Sequence, residues 1–591
     1  MSRASRKVIV QESTGQRLIE QSRVRLLCIG LFFVLCFGSI AVRMVDVAVI
    51  HRAKGVTITV SDPDSEGSEQ VEMAAQEPVF ARGDIVDRNG VLLATSLKTA
   101  SMFANPKEIR EPEQAAKRLE KALGLDEKTL RKHFRSNKSF VWIKRNMTPK
   151  EQQAANSLGI PGLYFLPEER RIYPYGNLLA HEVGYVGVDN KGLSGIEKQF
   201  DQRLRDGAVN REPLALAVDV RLQAIMHEEL KKTMEDYHAI GATGIILDLV
   251  SGELLAMASL PDFDPHKPAR ASDAQKFNRA SLGAYEMGST FKSFTMAMAL
   301  DSGVATLKSG YDATNPFKIS TFTIQDTHPK RRWLNVPEIY AYSSNIGTAK
   351  MALDVGKKRQ QAFLEKIGMM KPVEIELPEK SAPLYPSEWK EINTVTISYG
   401  HGISVTPLHL VRGIASLVNG GTLLRLTLLK DGNRNREEGE RIVSEQTSKN
   451  MRRLMRLVVD HGTGTKADVP GYRVGGKTGT AEKAGAGGYS EDAKLASFIA
   501  VFPVDAPKYA VLVMIDEPKG DKSTYGFATG GWISAPAVGT IISRMGPLYA
   551  MKPEYDVPGD DAEKFWVDGD KAKAPAAAKP VEKTYIHAAT Y

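Results

Sequence analysis

Three short motifs, which follow one another along the sequence, place the strongest constraint on what this chain of 591 residues can fold into. They are Ser289-Thr290-Phe291-Lys292, Ser343-Ser344-Asn345 and Lys477-Thr478-Gly479-Thr480. A serine hydroxyl is a weak nucleophile at neutral pH, so a site that uses one needs a proton acceptor beside it. On a helix, Lys292 lies one turn after Ser289 and on the same face. Together the motifs predict a serine acyl-transfer site, and the fold must then bring the three segments together.

Each motif is weak evidence alone, because patterns of three or four residues recur by chance. A second Ser-x-x-Lys occurs at Ser387–Lys390, just after two prolines, where we expect a solvated loop or a helix start. A second Ser-x-Asn occurs at Ser448–Asn450, where we expect the cap of a basic helix that includes Met451 to Val459. Lys-Thr-Gly occurs once, and its segment lacks the spacing of a phosphate-binding loop. The order of the motifs and the single Lys-Thr-Gly therefore carry the prediction.

The residues around Ser289 predict a buried helix that begins at the nucleophile. Gly288 precedes the serine, and Phe294 to Leu300 is apolar apart from Thr295. Such a run is typical of a helix that is buried on most sides. The first turn of a helix offers free N–H groups and the positive end of the helix dipole to a developing oxyanion. Taken alone, without the other motifs, Ser289 would be better interpreted as a helix N-cap.

The Lys477 segment predicts a site for a carboxylate. Gly475 and Gly476 precede the lysine, and we expect them to let a strand edge approach a bound peptide closely. The lysine and the hydroxyls of Thr478 and Thr480 offer a carboxylate one positive charge and several hydrogen-bond donors.

With these motifs and several further short boxes, the sequence resembles the class B penicillin-binding proteins of the division-septum transpeptidase type over nearly its whole length. The boxes are Arg82–Gly90, Arg171–Pro174, Gly195–Glu197, Asn278–Ala280, Glu286–Gly288, Gly400–Gly402 and Val405–Pro407. The resemblance implies an α+β multidomain chain with a single N-terminal transmembrane helix, an α+β pedestal and a transpeptidase domain. It also implies that the last domain is an antiparallel sheet with helices on both faces, similar to serine β-lactamases.

The resemblance further implies a role for each motif residue. Ser289 would attack a D-alanyl-D-alanine stem peptide, and its backbone N–H, with that of Thr480, would bind the oxyanion. Lys292 would accept the serine proton, and Ser343 would relay a proton between Lys292 and Lys477. Asn345 would hold Lys292 and the donor backbone. The implied substrate-binding residues are Ser344, Thr478, Gly479 and Thr480.

An apolar run near the N-terminus predicts a membrane helix. Leu26 to Val42 carries no charged residue and would span about 26 Å as a helix, with a possible continuation to Ile50. Residues 1–25 hold six Lys or Arg against two Glu, so the positive-inside rule places this leader in the cytoplasm and the bulk of the chain in the periplasm. This asymmetry favours inner-membrane topology over nucleic-acid binding. A cleaved signal peptide is the alternative, because Ser39–Ala41 has small residues at the cleavage spacing.

Composition and periodicity divide the remainder into four predicted regions. Residues 51–77 are a polar linker, 78–211 the pedestal, 212–553 the catalytic domain and 554–591 a disordered tail rich in Ala, Lys and Pro. A spacer role for the pedestal is an equally acceptable interpretation. The predicted elements of the catalytic domain are a helix from Asp219 through Met234 and strands at Ala242–Asp248, Glu253–Ala258, Ser497–Val501 and Tyr509–Ile515.

The implied ligands are peptidoglycan stem peptides and β-lactams, without a cofactor or a metal. The implied partners are an FtsW-type membrane glycosyltransferase and other division proteins, met through the membrane helix and the pedestal. Three alternatives stay open: an elongation-branch transpeptidase, a serine β-lactamase and a non-catalytic β-lactam-binding scaffold. Against the β-lactamase, Leu334-Asn335 is preceded by Arg331 where a Glu would align the deacylating water.

Overall fold

The computed structural model describes residues 31, 33–35, 37–39, 82–206, 212–430, 439–485 and 488–555. The predicted leader, the linker, most of the predicted membrane segment and nearly all of the predicted tail lie outside these residues. Within the described part of the chain, no helix combines the length and the apolar character that a bilayer crossing requires.

Fifteen α-helices lie in the described residues from 82 to 555, and we number them in chain order. They are α1 Pro112–Leu123, α2 Glu127–Phe134, α3 Pro149–Asn156, α4 Gly195–Gln199, α5 Asp201–Asp206, α6 Val220–Asp236, α7 Asp273–Lys276, α8 Lys292–Asp301, α9 Val336–Ala341, α10 Asn345–Val355, α11 Lys357–Lys366, α12 Glu391–Ser398, α13 Pro407–Val418, α14 Glu445–Asp460 and α15 Ser534–Leu548.

The strands are numbered in the same way. They are β1 Ile85–Val86, β2 Leu92–Ala104, β3 Val141–Met147, β4 Leu163–Ile172, β5 Leu214–Ala215, β6 Gly241–Asp248, β7 Leu254–Leu260, β8 Tyr285–Glu286, β9 Gly310–Asp312, β10 Phe317–Ile319, β11 Phe322–Ile324, β12 Trp333–Asn335, β13 Ser404–Val405, β14 Gly475–Gly485, β15 Gly488–Phe502 and β16 Tyr509–Asp516.

The described residues form two compact units. The smaller unit comprises Met102–Arg145 and Glu151–Phe165, and the larger comprises Ala81–Ser101, Asn146–Lys150 and the chain from Leu166 onward.

Two amphipathic helices, α1 and α2, lie in the smaller unit. Helix α1 buries Leu119 and ends at Gly124, whose φ of +66° is readily adopted only by glycine. Asp126 caps α2 by accepting a hydrogen bond from the backbone of Thr129.

A five-stranded antiparallel sheet forms the centre of the larger unit, in the order β14–β15–β16–β6–β7. The four strands predicted from the sequence all belong to this sheet. Strands β6, β7 and β16 lie within two residues of their predicted bounds, whereas β15 begins nine residues earlier than predicted, at Gly488. The predicted helix from Asp219 is α6, which Asp219 caps and which ends at Asp236.

Both faces of this sheet are buried under helices, as the resemblance implied. Along β15, Phe498 and Ala500 pack in the core beneath α6 and α15, while the intervening Ile499 packs in the core on the other face, which α8, α13 and α14 cover. The alternation follows from the two-residue period of a strand. Because apolar residues occupy both faces, the strands have long apolar runs rather than a polar side.

The expected cap at Ser448 is wrong. Helix α14 begins earlier, at Glu445, and Ser444 caps it by accepting a hydrogen bond from the backbone of Thr447. Ser448 lies inside the helix, where its Oγ accepts from the backbone N–H of Gly420 at 3.0 Å. Ser448 therefore makes a tertiary contact with the segment at Gly420 and does not cap the helix.

Three of the boxes that carry the resemblance meet at one buried carboxylate, Glu197. Its oxygens accept from Nε of Arg82 at 2.5 Å and from Nε of Arg171 at 2.7 Å, and all three side chains are almost fully buried. Arg82 also reaches Asp201 at 2.7 Å. A buried ion pair that loses one partner leaves an uncompensated charge, so Glu197 is predicted to be a structural requirement of this region.

We expect Glu197→Gln to lower the free energy of unfolding by about 3 kcal/mol or more, because two buried guanidinium groups lose their shared carboxylate. Denaturant unfolding of the detergent-solubilised full chain, followed by tryptophan fluorescence, measures the change. The matched control is Glu228→Gln, which breaks an exposed pair with Arg544 and should cost less than about 1 kcal/mol. Equal losses in the two variants would contradict the prediction.

Candidate active site

Ser289 lies on a tight turn between the sheet and a buried helix. A 3₁₀ turn, Gly288–Phe291, carries the serine, and α8 begins at Lys292. The nucleophile therefore precedes the helix by one turn rather than lying within it. From Lys292 to Ala299 every residue of α8 is buried, which agrees with the apolar run in the sequence.

Two glycines with positive φ hold this turn in place. A β-carbon on Gly288 (φ +52°) would lie 2.6 Å from the carbonyl oxygen of Thr480 in β14. One on Gly400 (φ +88°) would lie 2.1 Å from the carbonyl oxygen of Gly288, and the backbone N–H of Gly288 donates to the carbonyl oxygen of Gly400 at 3.2 Å. The turn is thus packed between the backbone of Thr480 and that of Gly400. Neither Gly288 nor Gly400 has room for a β-carbon, so both positions require glycine.

The amine of Lys292 lies between the first two motifs. Its Nζ is 3.1 Å from Ser289 Oγ, 3.1 Å from Ser343 Oγ and 2.5 Å from the Ser343 carbonyl oxygen. Because the side chain is fully buried, desolvation disfavours its charged form and lowers the pKa of Lys292 to about 7. A lysine with this pKa is partly neutral at physiological pH and can accept a proton.

Ser343 joins the second motif to the third. Its Oγ accepts from Lys477 Nζ at 3.0 Å as well as from Lys292 Nζ, and its φ of +61° is rare for a residue with a side chain. Lys477 is also fully buried, and burial together with the charge of Lys292 lowers the pKa of Lys477 well below its usual range. The result is a continuous line of hydrogen bonds from Ser289 through Lys292 and Ser343 to Lys477.

Asp326 is a site residue that the motifs do not reveal. Its Oδ2 accepts from Ser344 Oγ at 2.7 Å and its Oδ1 from the backbone N–H of Ile346 at 2.9 Å. Its negative charge raises the pKa of Lys292 and so opposes the effect of burial. Asp326 lies in a polar segment after β11, so only the tertiary fold brings it to the middle motif.

The middle motif forms the start of α10. Ser344 caps the helix, and the side-chain amide of Asn345 donates to the carbonyl oxygen of Gln325 at 2.8 Å. The resemblance implied that Asn345 holds Lys292, whereas in the structure the Asn345 amide has a different partner. The amide points to the segment before Asp326, whereas the described partners of Lys292 Nζ are Ser289 and Ser343.

On β14 the third motif packs against the nucleophile turn. Thr478 Oγ1 lies 2.6 Å from Thr463 Oγ1, and Thr480 Oγ1 accepts from the backbone N–H of Gly530 at 3.2 Å. A β-carbon on Gly479 would lie 2.9 Å from the carbonyl oxygen of Met287. Gly479 is therefore required for the close approach of β14 to the turn.

The two glycines before Lys477 have a different role from the one expected. A β-carbon on Gly475 would lie 2.7 Å from a methyl group of Val504, and one on Gly476 would lie 2.5 Å from the ring of Phe498. Both neighbours belong to the protein's own core. These glycines make room for core side chains, so the fold requires them whether or not a peptide is bound.

The arrangement combines a hydroxyl, an amine that is partly neutral at pH 7 and a second buried amine linked to it through a serine. Such a set suits nucleophilic attack by Ser289 with Lys292 as proton acceptor. In the described ranges, no group of three or more His, Cys, Asp or Glu side chains is placed to hold a metal ion.

Two family models match the chain. The penicillin binding protein transpeptidase domain matches residues 242–542, and the penicillin-binding protein dimerisation domain matches residues 79–212. The first range contains all three motifs.

Two curated relatives match most of this chain and most of their own length. The chain is 40% identical over 555 residues, 90% of each protein, to a probable peptidoglycan D,D-transpeptidase FtsI of Caulobacter vibrioides. It is 30% identical to the peptidoglycan D,D-transpeptidase FtsI of Escherichia coli, over 83% of this chain and 87% of that one. Its fold is similar to that of penicillin binding protein 3 from Mycobacterium tuberculosis, solved with aztreonam: the TM-score is 0.63 at 23% identity, with coverage of 80% of this chain and 97% of that one.

The electrostatics of the site yield a prediction for Asp326. Replacing Asp326 with Asn removes a negative charge that favours the protonated form of Lys292, so the pKa of Lys292 should fall below its value of about 7. NMR titration of the protein with ¹³C-labelled lysine, with the Lys292 signal assigned by its loss in Lys292→Arg, gives the midpoint. Asp312→Asn, which removes an exposed carboxylate bound to Thr314, is the control and should leave the midpoint in place. An unchanged or higher midpoint in Asp326→Asn would refute the electrostatic role.

Proposed function

This chain belongs to the class B penicillin-binding proteins, and from that premise we propose that it cross-links septal peptidoglycan through an acyl-enzyme on Ser289. Its activity is that of a serine-type peptidoglycan D,D-transpeptidase of the FtsI type. The family inferred from the three motifs is confirmed. The observation that carries the catalytic assignment is the line of hydrogen bonds from Ser289 through Lys292 and Ser343 to Lys477.

In the first half-reaction, Ser289 Oγ attacks the carbonyl carbon between the last two D-alanines of a donor stem peptide. Lys292 accepts the serine proton; the 3.1 Å separation and the pKa of about 7 support this assignment. The backbone N–H groups of Ser289 and Thr480 stabilise the oxyanion, and such a donor is worth about 3 kcal/mol in the transition state. As the tetrahedral intermediate collapses, the C–N bond breaks and the terminal D-alanine leaves.

The leaving amine needs a proton, and Ser343 is placed to relay one. Its Oγ lies within 3.1 Å of both lysine amines, so a proton that Lys292 takes from Ser289 can pass through Ser343 to the departing nitrogen. In the second half-reaction, the amine of a neighbouring stem peptide attacks the acyl-enzyme carbonyl. The same groups then act in reverse: Lys292 accepts the amine proton, and Ser289 Oγ leaves and is protonated again.

The donor is bound at two ends of the site. The hydroxyls of Thr478 and Thr480, beside the buried Lys477, bind the terminal carboxylate, and Gly479 keeps this strand close to the turn that carries Ser289. Asn345 lies at the exposed end of the middle motif, where its amide binds the donor backbone. Ser344 shapes this end through its bond to Asp326.

A β-lactam enters as a donor whose scissile amide is part of a ring. Ring opening by Ser289 leaves the amine tethered to the acyl group, so the acceptor is blocked and the acyl-enzyme persists. The Mycobacterium tuberculosis neighbour was solved in complex with aztreonam, a β-lactam, which agrees with this ligand class.

The division-site role and the membrane arrangement rest on the FtsI relatives and on the sequence. We assign the chain to the inner membrane, with residues 26–50 as a single span, the leader in the cytoplasm and the bulk in the periplasm. Its partners are an FtsW-type glycosyltransferase, which supplies the glycan strands whose stems are cross-linked, and further division proteins. The membrane span and the pedestal are the segments that we assign to these contacts.

We expect Ser289→Ala to abolish covalent labelling by a fluorescent penicillin, because no other nucleophile occupies its position. The full chain in detergent is incubated with the label, separated by denaturing electrophoresis and mapped by peptide mass spectrometry. The control is Ser387→Ala, which alters the other Ser-x-x-Lys sequence and should label as the wild type does.

The lifetime of the label tests the reaction type. Label on Ser289 that persists for many minutes is the transpeptidase result, whereas loss within seconds would indicate a β-lactamase. Label that survives in Ser289→Ala would overturn the assignment of the nucleophile.

A further inference from the structure

One buried aromatic side chain, Tyr340 in α9, contacts the second and third motifs and the helix that follows the first motif, although it belongs to none of the three. It is fully buried. Its hydroxyl lies 2.7 Å from Ser293 Oγ, and Ser293 follows Lys292 directly in α8. The ring is thereby attached to the helix that carries the proton acceptor.

Tyr340 also contacts the second and third motifs. Its carbonyl oxygen accepts from the backbone N–H of Ser343 at 3.3 Å, at the residue whose φ is +61°. Its ring centroid lies 5.7 Å from Nζ of Lys477. This separation falls within the range at which a ring face attracts an ammonium group.

We propose that Tyr340 is a positioning residue for transpeptidation: its ring holds the ammonium group of Lys477 against Ser343, and its hydroxyl fixes the ring to the helix of Lys292. The inference rests on the proposed function, because it concerns the lysine that closes the hydrogen-bonded line. It assigns no contact between Tyr340 and the substrate.

The physical reason is the charge balance of two buried amines. Lys292 and Lys477 share one serine hydroxyl, and each charged form disfavours the other. For Lys292 to accept a proton it must be neutral, yet burial and the charge of Lys292 both lower the pKa of Lys477. A further group beside Lys477 is therefore needed if the charge of the pair is to reside there. A ring face attracts a nearby cation without accepting a conventional hydrogen bond. Tyr340 therefore stabilises the charged form of Lys477, and the proton stays on Lys477 while Lys292 acts as the base.

The other charged groups around Lys477 do not provide this asymmetry. Asp326 raises the pKa of Lys292 and therefore favours charge on Lys292, not on Lys477. Arg456 of α14, which packs on β14, donates to the Val474 carbonyl oxygen and is paired with Asp460 and Asp468. The other groups at Lys477 Nζ are neutral oxygens, among them Ser343 Oγ at 3.0 Å and the Thr478 carbonyl oxygen at 3.2 Å. The ring of Tyr340 adds its attraction for a cation to these two hydrogen bonds.

The test measures the rate of acylation by a fluorescent penicillin against pH, with the full chain in detergent. Tyr340→Leu removes the ring. We expect acylation at pH 7.5 to slow by about tenfold or more, which corresponds to the loss of a desolvated cation–π contact. Because the ring favours the charged form, its loss lowers the pKa of Lys477, and the fall of the rate on the alkaline side should begin at a lower pH.

Tyr340→Phe and Ser293→Ala separate the ring from the hydroxyl. Each breaks the bond between Tyr340 and Ser293 but keeps an aromatic face beside Lys477. Because the fully buried ring stays packed beside Lys477 without that bond, we expect acylation to slow by no more than about threefold and the pH profile to stay as in the wild type. Equal losses in Tyr340→Phe and Tyr340→Leu would overturn the role of the ring.

Replacement of Tyr340 by 3,5-difluorophenylalanine covers the case in which Tyr340→Leu does not fold. Fluorine withdraws electron density from the ring face at nearly constant shape, so the alkaline limb should move to lower pH relative to Tyr340→Phe. The same replacement at Phe502, a buried ring in the core beneath α6 and α15, should leave the profile unchanged.

The outcomes distinguish the two hypotheses. If the pH profile is unaltered in both Tyr340→Leu and the fluorinated variant, whether or not the melting temperature falls, Tyr340 contributes only core packing. That result would overturn the proposal. Absence of any labelling of the wild-type chain would instead defeat the proposed function.

Discussion

The site depends on one hydroxyl, Ser343 Oγ, which lies between two buried amines. Two ammonium groups this close repel each other, and burial penalises each of them, so the pair is most stable with a single charge shared between Lys292 and Lys477. This electrostatic constraint produces a basic lysine at neutral pH without a histidine. Asp326 and the surrounding side chains then determine on which amine the charge resides.

The rest of the domain keeps these groups at fixed distances. Lys477 lies on a strand of a sheet buried on both faces, and Lys292 lies on a helix covered on nearly all sides. The turn that carries Ser289 is packed between the backbone of Thr480 and that of Gly400, where no β-carbon fits. A site held in this way loses little conformational entropy when a donor binds, because its groups are already in place.

Much of this arrangement could be predicted from the sequence. The spacing of Ser289 and Lys292 is local, so a helical period suffices to place them together. The strands of the sheet are long apolar runs, which periodicity detects, and the motifs identified the family that the comparisons confirm. Local patterns failed where a tertiary contact decides the role. Asp326 and Tyr340 come to the site only through the fold. The bond between Ser448 and Gly420, away from the site, also depends on the fold, and Gly475 and Gly476 make room for core side chains that no motif indicates.

Strand β14 is an edge of the five-stranded sheet, and this position has a consequence for solubility. An edge strand presents unpaired backbone groups that can pair with another chain and begin aggregation. Here the nucleophile turn and α14 pack against β14, and together they limit how much of that edge a foreign strand could reach. The packing that orients Ser289 therefore also protects the sheet edge from aggregation. Mutations that loosen the turn would lower both the activity and the solubility.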